Sequence, residues 1–250
     1  MLNQKEIKQN GNDRFEHARK ASGLPLWKRI LDLAILVLLL PAALLIGLSA
    51  ALLVTCGSPG PVIFRQRRIG YKGGEFVCFK FRTMRVDADA GSHKWHTAHL
   101  IREGVPMTKL DARNDSRLIP FGAALRATGL DELPQLINVL RGEMSIVGPR
   151  PCIPYEYELY EPWQRRRFDA VPGLTGLWQV SGKNRTTFNQ MIHLDIEYSE
   201  CASVWLDVKI IFKTLPALCT QCVDMVEQKK KSKGAKSSMV NETKPAQYVV

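Results

Sequence analysis

The sequence predicts an α+β fold, predominantly helical with a small β-hairpin, attached to a membrane through one N-terminal apolar helix. Three observations predict it. No charged residue falls between Leu33 and Cys56. Two short runs of extended character flank a glycine-supplied turn at Gly70–Gly74. Most of the remaining apolar runs read as helices broken by proline and glycine.

The apolar run comes first. As a straight helix, Leu33–Cys56 would be about 36 Å long at ~1.5 Å per residue, enough for a hydrocarbon core of ~30 Å. It is too long, and too far from the N-terminus, to be a signal-peptide core. It also exceeds the habit of a buried soluble helix. Its flanks are both basic: Lys28 and Arg29 precede it, and Arg65, Arg67 and Arg68 follow. Lysine and arginine gather on the cytoplasmic side of membrane segments, so neither flank looks extracytoplasmic. Pro41 removes a backbone donor and can bend the helix. On these residues alone, a straight span and a bend that leaves by the face it entered both stand.

The hairpin spans Arg65 to Met84. In its second strand Phe76, Cys78, Lys80 and Arg82 share one face, which makes one end of that face cationic. A helix is expected around His93–Arg102. Leu118–Gly142 predicts a short helix, a break, and a second helix that ends near Gly142. A Tyr/Glu-rich helix fits between Pro154 and Pro162. Val171–Asn184 reads as loop and extended chain. Phe188–Cys201 reads as helix, and Trp205–Met225 as an amphipathic segment suited to an interface.

Net charge is +11 and the pI is about 9.5, which favours an anionic partner. The aromatic-basic interleaving that binds single-stranded nucleic acid is absent, so nucleic acid is not the expected partner. Six scattered cysteines read as reduced thiols. Cys219 and Cys222 have redox or metal spacing without a second pair, and the structural reading is preferred. Five lysines between Lys229 and Lys236 form a basic tail that suits either an anionic leaflet or plain solubility.

The chemistry concentrates in "LDELPQLINVLRGEMSIVGPRP", Leu130 to Pro151. Asp131 and Glu132 stand at the head of an apolar helix. Read alone, they are an acidic N-cap. Their surroundings suggest more. Arg126 precedes them, Arg150 follows the helix, and Lys80 and Arg82 come from the hairpin. Four cations around two carboxylates suit a polyphosphate. A carboxylate can attack phosphorus, and its neighbour can hold Mg²⁺. Two weaker patterns compete. Asp87-Ala88-Asp89 matches the short metal-binding pattern of many nucleotide-sugar glycosyltransferases. His93, His96 and His99 have spacing that drifts around a helix and lack an obvious acidic fourth ligand.

"KRILDLAILVLLLP", "GSPGPVIFRQRRIG", "FKFRTM", "LDELPQLINVLRGEMSIVGPRP" and "PGLTGLWQVSGKN" together resemble the bacterial sugar transferases, the monotopic polyprenyl-phosphate phosphoglycosyl transferases. The likeness covers roughly Leu26 to Ala217. One departure is Asn114–Leu118, where Ser116 replaces the proline of many relatives.

The resemblance implies a monotopic membrane protein with one re-entrant, Pro-bent helix, at the cytoplasmic face of the bacterial inner membrane. Its expected parts are a basic arm (1–24), the membrane helix (25–56), a catalytic domain with interfacial helices (57–225) and a basic tail (226–250). It implies that Asp131 attacks the sugar-bearing phosphate of a UDP-sugar and releases UMP. Polyprenyl phosphate then takes the phosphosugar. Glu132 is implied as the Mg²⁺ ligand, and Arg126, Arg150, Lys80 and Arg82 as phosphate holders. The alternatives are a glycosyltransferase that uses Asp87 and Asp89 and releases UDP, and a non-enzymatic basic module tethered to lipid.

Overall fold

The computed structural model describes residues 24–85, 100, 117–182, 186–220 and 223. The Asp87/Asp89 pair, the three spaced histidines, the Asn114–Ser116 departure, Cys222 and both basic ends lie outside those residues.

Helix α1 (Leu26–Gly57) runs through 32 residues, with Pro41 inside it. Among the described residues it is the one helix long and apolar enough to cross a membrane. Its middle is exposed: Val37, Leu38, Leu44, Leu45 and Leu48 all face outward. Its two ends are not. Leu36 packs with Phe76, Val139, Val147 and Tyr198. Ala50 and Val54 pack with Phe81, Ile119 and Leu125. The same body of protein therefore grips α1 near both termini and leaves the apolar centre bare.

Polar contacts reinforce both grips. At the first end, Lys28 is buried and its Nζ donates to Asp207 Oδ2 at 2.5 Å and to Tyr198 Oη at 2.8 Å. Asp32 Oδ1 accepts from Ser145 Oγ and the Ile146 amide, each at 2.9 Å. A buried ammonium is tolerated only when paired, and here the pairing joins α1 to two later helices. Burial, then Asp207, push the Tyr198 hydroxyl well above its usual pKa, so it stays a neutral donor. At the other end, Arg82 donates to the carbonyls of Ser58 and Pro59, each at 2.6 Å. These carbonyls follow α1 directly.

The hairpin forms as the alternation predicts. Strands β1 (Ile63–Ile69) and β2 (Glu75–Phe81) pair antiparallel, with Arg68 opposite Phe76 and Gln66 opposite Cys78. The turn between them needs positive φ at Lys72 and Gly73, at 51° and 78°. Phe76 and Cys78 are buried on one face, and Phe81 on the other, against α1.

Helix α2 (Gly122–Thr128) leads into a 3₁₀ turn, Leu130–Gln135, and then α3 (Leu136–Arg141). Gly142 ends α3 with φ 78°, where glycine was expected to stop the helix. Arg29 donates to the terminal α3 carbonyls of Val139 and Leu140 at 2.6 and 2.7 Å.

Beyond α3, strand β3 (Ser145–Val147) pairs in parallel with β4 (Gly173–Thr175). The short α4 (Pro154–Glu158) and a 3₁₀ turn (Gln164–Asp169) lie between them in sequence. Four residues expected as loop, Leu177–Val180, form the single turn α5. Helix α6 (Phe188–Cys201) matches its predicted bounds, and Thr187 and Gln190 cap it reciprocally. The last described helix, α7, covers 204–220, with Trp205, Phe212 and Leu215 exposed.

Candidate functional site

The two acids do not cap a helix. They sit inside the 3₁₀ turn, whose N-cap is Gly129 at φ 73°, and α3 begins only at Leu136. The N-cap expectation fails because the backbone after Gly129 closes by i→i+3 bonding, the Glu132 amide donating to Gly129 O at 3.0 Å, so a 3₁₀ turn precedes the α-helical ladder. A 3₁₀ turn places successive side chains ~120° apart, so adjacent carboxylates face different ways. Asp131 is buried, and Glu132 is partly exposed. Glu132 Oε1 accepts from Lys80 Nζ at 2.5 Å.

Glu132 opens onto a narrow cleft. The hairpin contributes Arg68, Cys78 and Lys80 to it; the loop after β3 contributes Arg150; β4 and α5 contribute Leu174 and Gln179. Three cations thus face one carboxylate across the lining. That imbalance suits an anionic ligand. Of the expected site residues, Glu132, Lys80 and Arg150 line the cleft, and Asp131 adjoins Glu132 in the turn. Arg126 ends α2, and Arg82 is engaged with the carbonyls after α1; neither belongs to this lining.

Local sequence explains how these pieces meet. Asn138, fully buried, acts as a strand mimic. Its side chain donates to the Val77 carbonyl at 2.7 Å and accepts from the Phe79 amide at 3.2 Å. This docks α3 on β2 and fixes Lys80 against the acidic turn. Gly148 and Gly173 let the loop bearing Arg150 lie directly on β4. The Gly148 amide donates to Thr175 O at 2.8 Å, and the Gly173 amide to Pro149 O at 2.9 Å. A Cβ on Gly173 would lie 2.0 Å from the Gly148 nitrogen, so no other residue fits there.

Arg150 is also held from behind. Arg167 Nη2 donates to the Arg150 carbonyl at 2.9 Å, and Arg167 Nη1 to Tyr160 Oη at 3.0 Å. Arg167 is ion-paired with Asp195 of α6, and both are buried. Burial pushes the Asp195 carboxyl up to about 6, against the pull of Arg167, and leaves it ionised at neutral pH.

Sequence reasoning did not single out Asn138, Arg167, Asp195 or Gln179. Arg68 was read only as one charge among many beside the membrane run. The periodicity of β2 put Cys78 and Lys80 on one face, and the antiparallel register adds Arg68 to the same cleft. Gln179 presents a further feature. Its Nε2 donates to Leu174 O at 3.2 Å, while its buried Oε1 has no partner among the described residues. A ligand hydroxyl or N–H would satisfy it.

The described cysteines are free thiols. Burial pushes Cys78 above its usual pKa and Cys152 up to about 12, so neither is a ready nucleophile. Cys219 is exposed.

An apolar helix docked at both ends on a body that carries a cationic cleft beside two adjacent acids suits a membrane-associated enzyme with anionic substrates. A family model described as bacterial sugar transferase matches residues 24–221. The chain belongs to the bacterial sugar transferase family, and it is a transferase.

Three relatives place it further. The exopolysaccharide production protein ExoY of Sinorhizobium fredii is 39% identical over 192 residues, covering 77% of this chain and 85% of that one. A UDP-glucose:undecaprenyl-phosphate glucose-1-phosphate transferase of Caulobacter vibrioides is 40% identical over 201 residues, covering 77% and 70%. The galactosyl transferase CpsE of Streptococcus agalactiae is 46% identical over 157 residues, covering 62% of this chain and 34% of that relative. The present chain thus matches most of the first two and about a third of the third.

Proposed function

We propose that this transferase moves a phosphosugar from a UDP-sugar to polyprenyl (undecaprenyl) phosphate and releases UMP, as the first membrane step of exopolysaccharide or surface-glycan synthesis. The observation that carries the reading is the buried Asp131 next to Glu132, with Lys80 on Glu132 and Arg150 across the same cleft.

Asp131 attacks the sugar-bearing phosphorus. The bond from that phosphorus to the bridging oxygen breaks, and the electron pair leaves with UMP. An oxygen of polyprenyl phosphate then attacks the same phosphorus, and the carboxylate of Asp131 is released unchanged. The sugar–oxygen bond survives both steps. Lys80 neutralises Glu132 before substrate arrives. A diphosphate in the cleft offers Lys80 a second anion and frees Glu132.

Mg²⁺ is usually held by one or two carboxylates, with phosphates and waters completing the shell. Glu132, the carboxylate that lines the cleft, is the residue that would hold it, with the nucleotide phosphates supplying further oxygens. Bound there, it would neutralise phosphate charge as attack proceeds.

The grip on both ends of α1 supports the re-entrant reading. A straight span would carry the two ends to opposite faces, ~48 Å apart at full helical rise, whereas one body of protein holds both. The basic flanks support the same reading, with that body on the cytoplasmic side. Polyprenyl phosphate then arrives through the membrane and UDP-sugar through the cytoplasm.

Nucleotide analysis tests the reaction. Incubation with a small panel of UDP-sugars is expected to yield UMP; UDP as the product would transfer the assignment to the Asp87/Asp89 alternative. Topology has its own measurement. Cysteines introduced at Asn10 and Lys72, in a background without other reactive thiols, are expected to label from the same side of sealed vesicles. Labelling from opposite sides would replace the bend with a span.

A further inference from the structure

Arg68 is buried, 8% exposed, and lines the catalytic cleft. Its guanidinium is held on two sides. Nε and Nη2 donate to Gln66 Oε1 at 3.1 and 2.7 Å, and Nη1 donates to Pro151 O at 3.1 Å. Three of the five guanidinium donors are thereby used, leaving one N–H on each terminal nitrogen. No carboxylate pairs with it among the described residues; the acid of the cleft, Glu132, is bonded to Lys80. Two further cations, Arg150 and Lys80, share its lining, and beyond the lining the charge of Glu156 on α4 acts in the opposite sense to Arg150. Burial, and then Arg150, pull the Arg68 pKa down.

A structural tie between β1 and the Pro149–Pro151 loop would need only one donor to Pro151 O. A neutral residue could supply it without the cost of burying a charge beside a second cation. Arg68 keeps the charge and the spare fork. Two guanidiniums that share a lining, one fixed from behind by Gln66 and the other carried on a backbone stitched to β4, match the planar two-point recognition of phosphate.

We propose that Arg68 is a substrate-binding residue that holds a phosphate beside Arg150. This deepens the phosphoglycosyl reading. The phosphate belongs either to the nucleotide or to the polyprenyl acceptor, and the experiment separates the two.

The full-length chain in lipid nanodiscs is titrated with UMP and, separately, with uridine, and the KM for polyprenyl phosphate is measured in the transfer assay. If Arg68 holds the nucleotide phosphate, Arg68→Gln weakens UMP about 10- to 100-fold and leaves uridine unchanged. If it holds the acceptor phosphate, the UMP-to-uridine preference stays and the KM for polyprenyl phosphate rises by a similar factor. Either selective loss supports the assignment. No loss, or one shared equally by UMP, uridine and acceptor, overturns it by making Arg68 structural. Should Arg68→Gln fail to fold, Arg68→Lys decides. It keeps the charge and a donor for Pro151 but loses the fork, so a selective loss of several-fold is expected, and unchanged selectivity overturns the proposal. UDP instead of UMP as the reaction product would end the phosphoglycosyl reading while leaving the UMP–uridine comparison valid.

Discussion

Asp131→Asn abolishes UMP release from UDP-sugar, by at least about 10³-fold, the scale on which losing a covalent nucleophile acts. The substitution keeps the shape of the side chain and removes the charged oxygen that would bond to phosphorus. An amide has no comparable nucleophile. Because Asp131 is buried in a tight 3₁₀ turn, stability is checked alongside, and a thermal midpoint close to wild type separates lost chemistry from lost fold. The first half-reaction is assayed without lipid acceptor, so that only attack by the enzyme is scored. In parallel, wild-type protein incubated with radiolabelled UDP-sugar is digested, and the peptide containing Leu130–Gln135 is expected to carry the phosphosugar mass. Glu132→Gln is the complementary variant. It retains the nucleophile, so its loss is expected in the Mg²⁺ dependence, while adduct can still form slowly. Undiminished UMP release by Asp131→Asn would remove this residue from the nucleophile role, whatever the family likeness implies.

Local signals in the sequence reached the elements and not their mutual placement. The hairpin was legible because alternation and a glycine turn are short-range properties. The span of α6 was read correctly, and the structure shows what sets its start, the reciprocal Thr187/Gln190 cap. The acids Asp131 and Glu132 stood out by chemistry, yet their backbone was misjudged. A helix start and a 3₁₀ turn share the same composition, and Pro134 suits both. The parallel pairing of β3 with β4 was missed because three-residue strands carry no usable period, and their partners lie far apart in sequence. Arg68 and Asn138 were invisible for a related reason. Nothing local distinguishes a buried arginine from the exposed Arg67 beside it, and only register shows that Arg68 shares the cleft face with Cys78. Lys28 likewise looked like a membrane-flanking charge until Asp207 and Tyr198 closed around it.

Asp195→Asn is expected to cost about 3–5 kcal/mol of stability, as breaking a buried ion pair does, and Arg167→Met is expected to cost less at low pH. The asymmetry comes from what each variant leaves behind. Without the Asp195 charge, a guanidinium stays buried that cannot give up its proton at any usable pH. The variant's own stability should therefore not vary with this site between pH 5 and 8, and its deficit against wild type should widen toward pH 5, as Asp195 of the wild type takes up its proton. Without Arg167, a carboxyl stays buried that can neutralise itself. In the wild type, burial already lifts Asp195 from 3.8 to about 6 while Arg167 pulls it down. Removing that pull raises the folded value further, while the unfolded value stays near 3.8. Between those two values the folded state binds more protons than the unfolded one, so stability rises as the pH is lowered. Arg167→Met should thus recover part of its deficit between pH 8 and pH 5, measured as a thermal midpoint relative to wild type in the same detergent. A deficit that grew toward acid pH would mean that Asp195 is favoured as an anion in the fold. Arg167→Met should also depress transfer, because Arg167 donates to the carbonyl of Arg150. The lost tie frees the backbone that carries a cleft cation, so binding of a phosphate ligand such as UMP should weaken more than that of uridine.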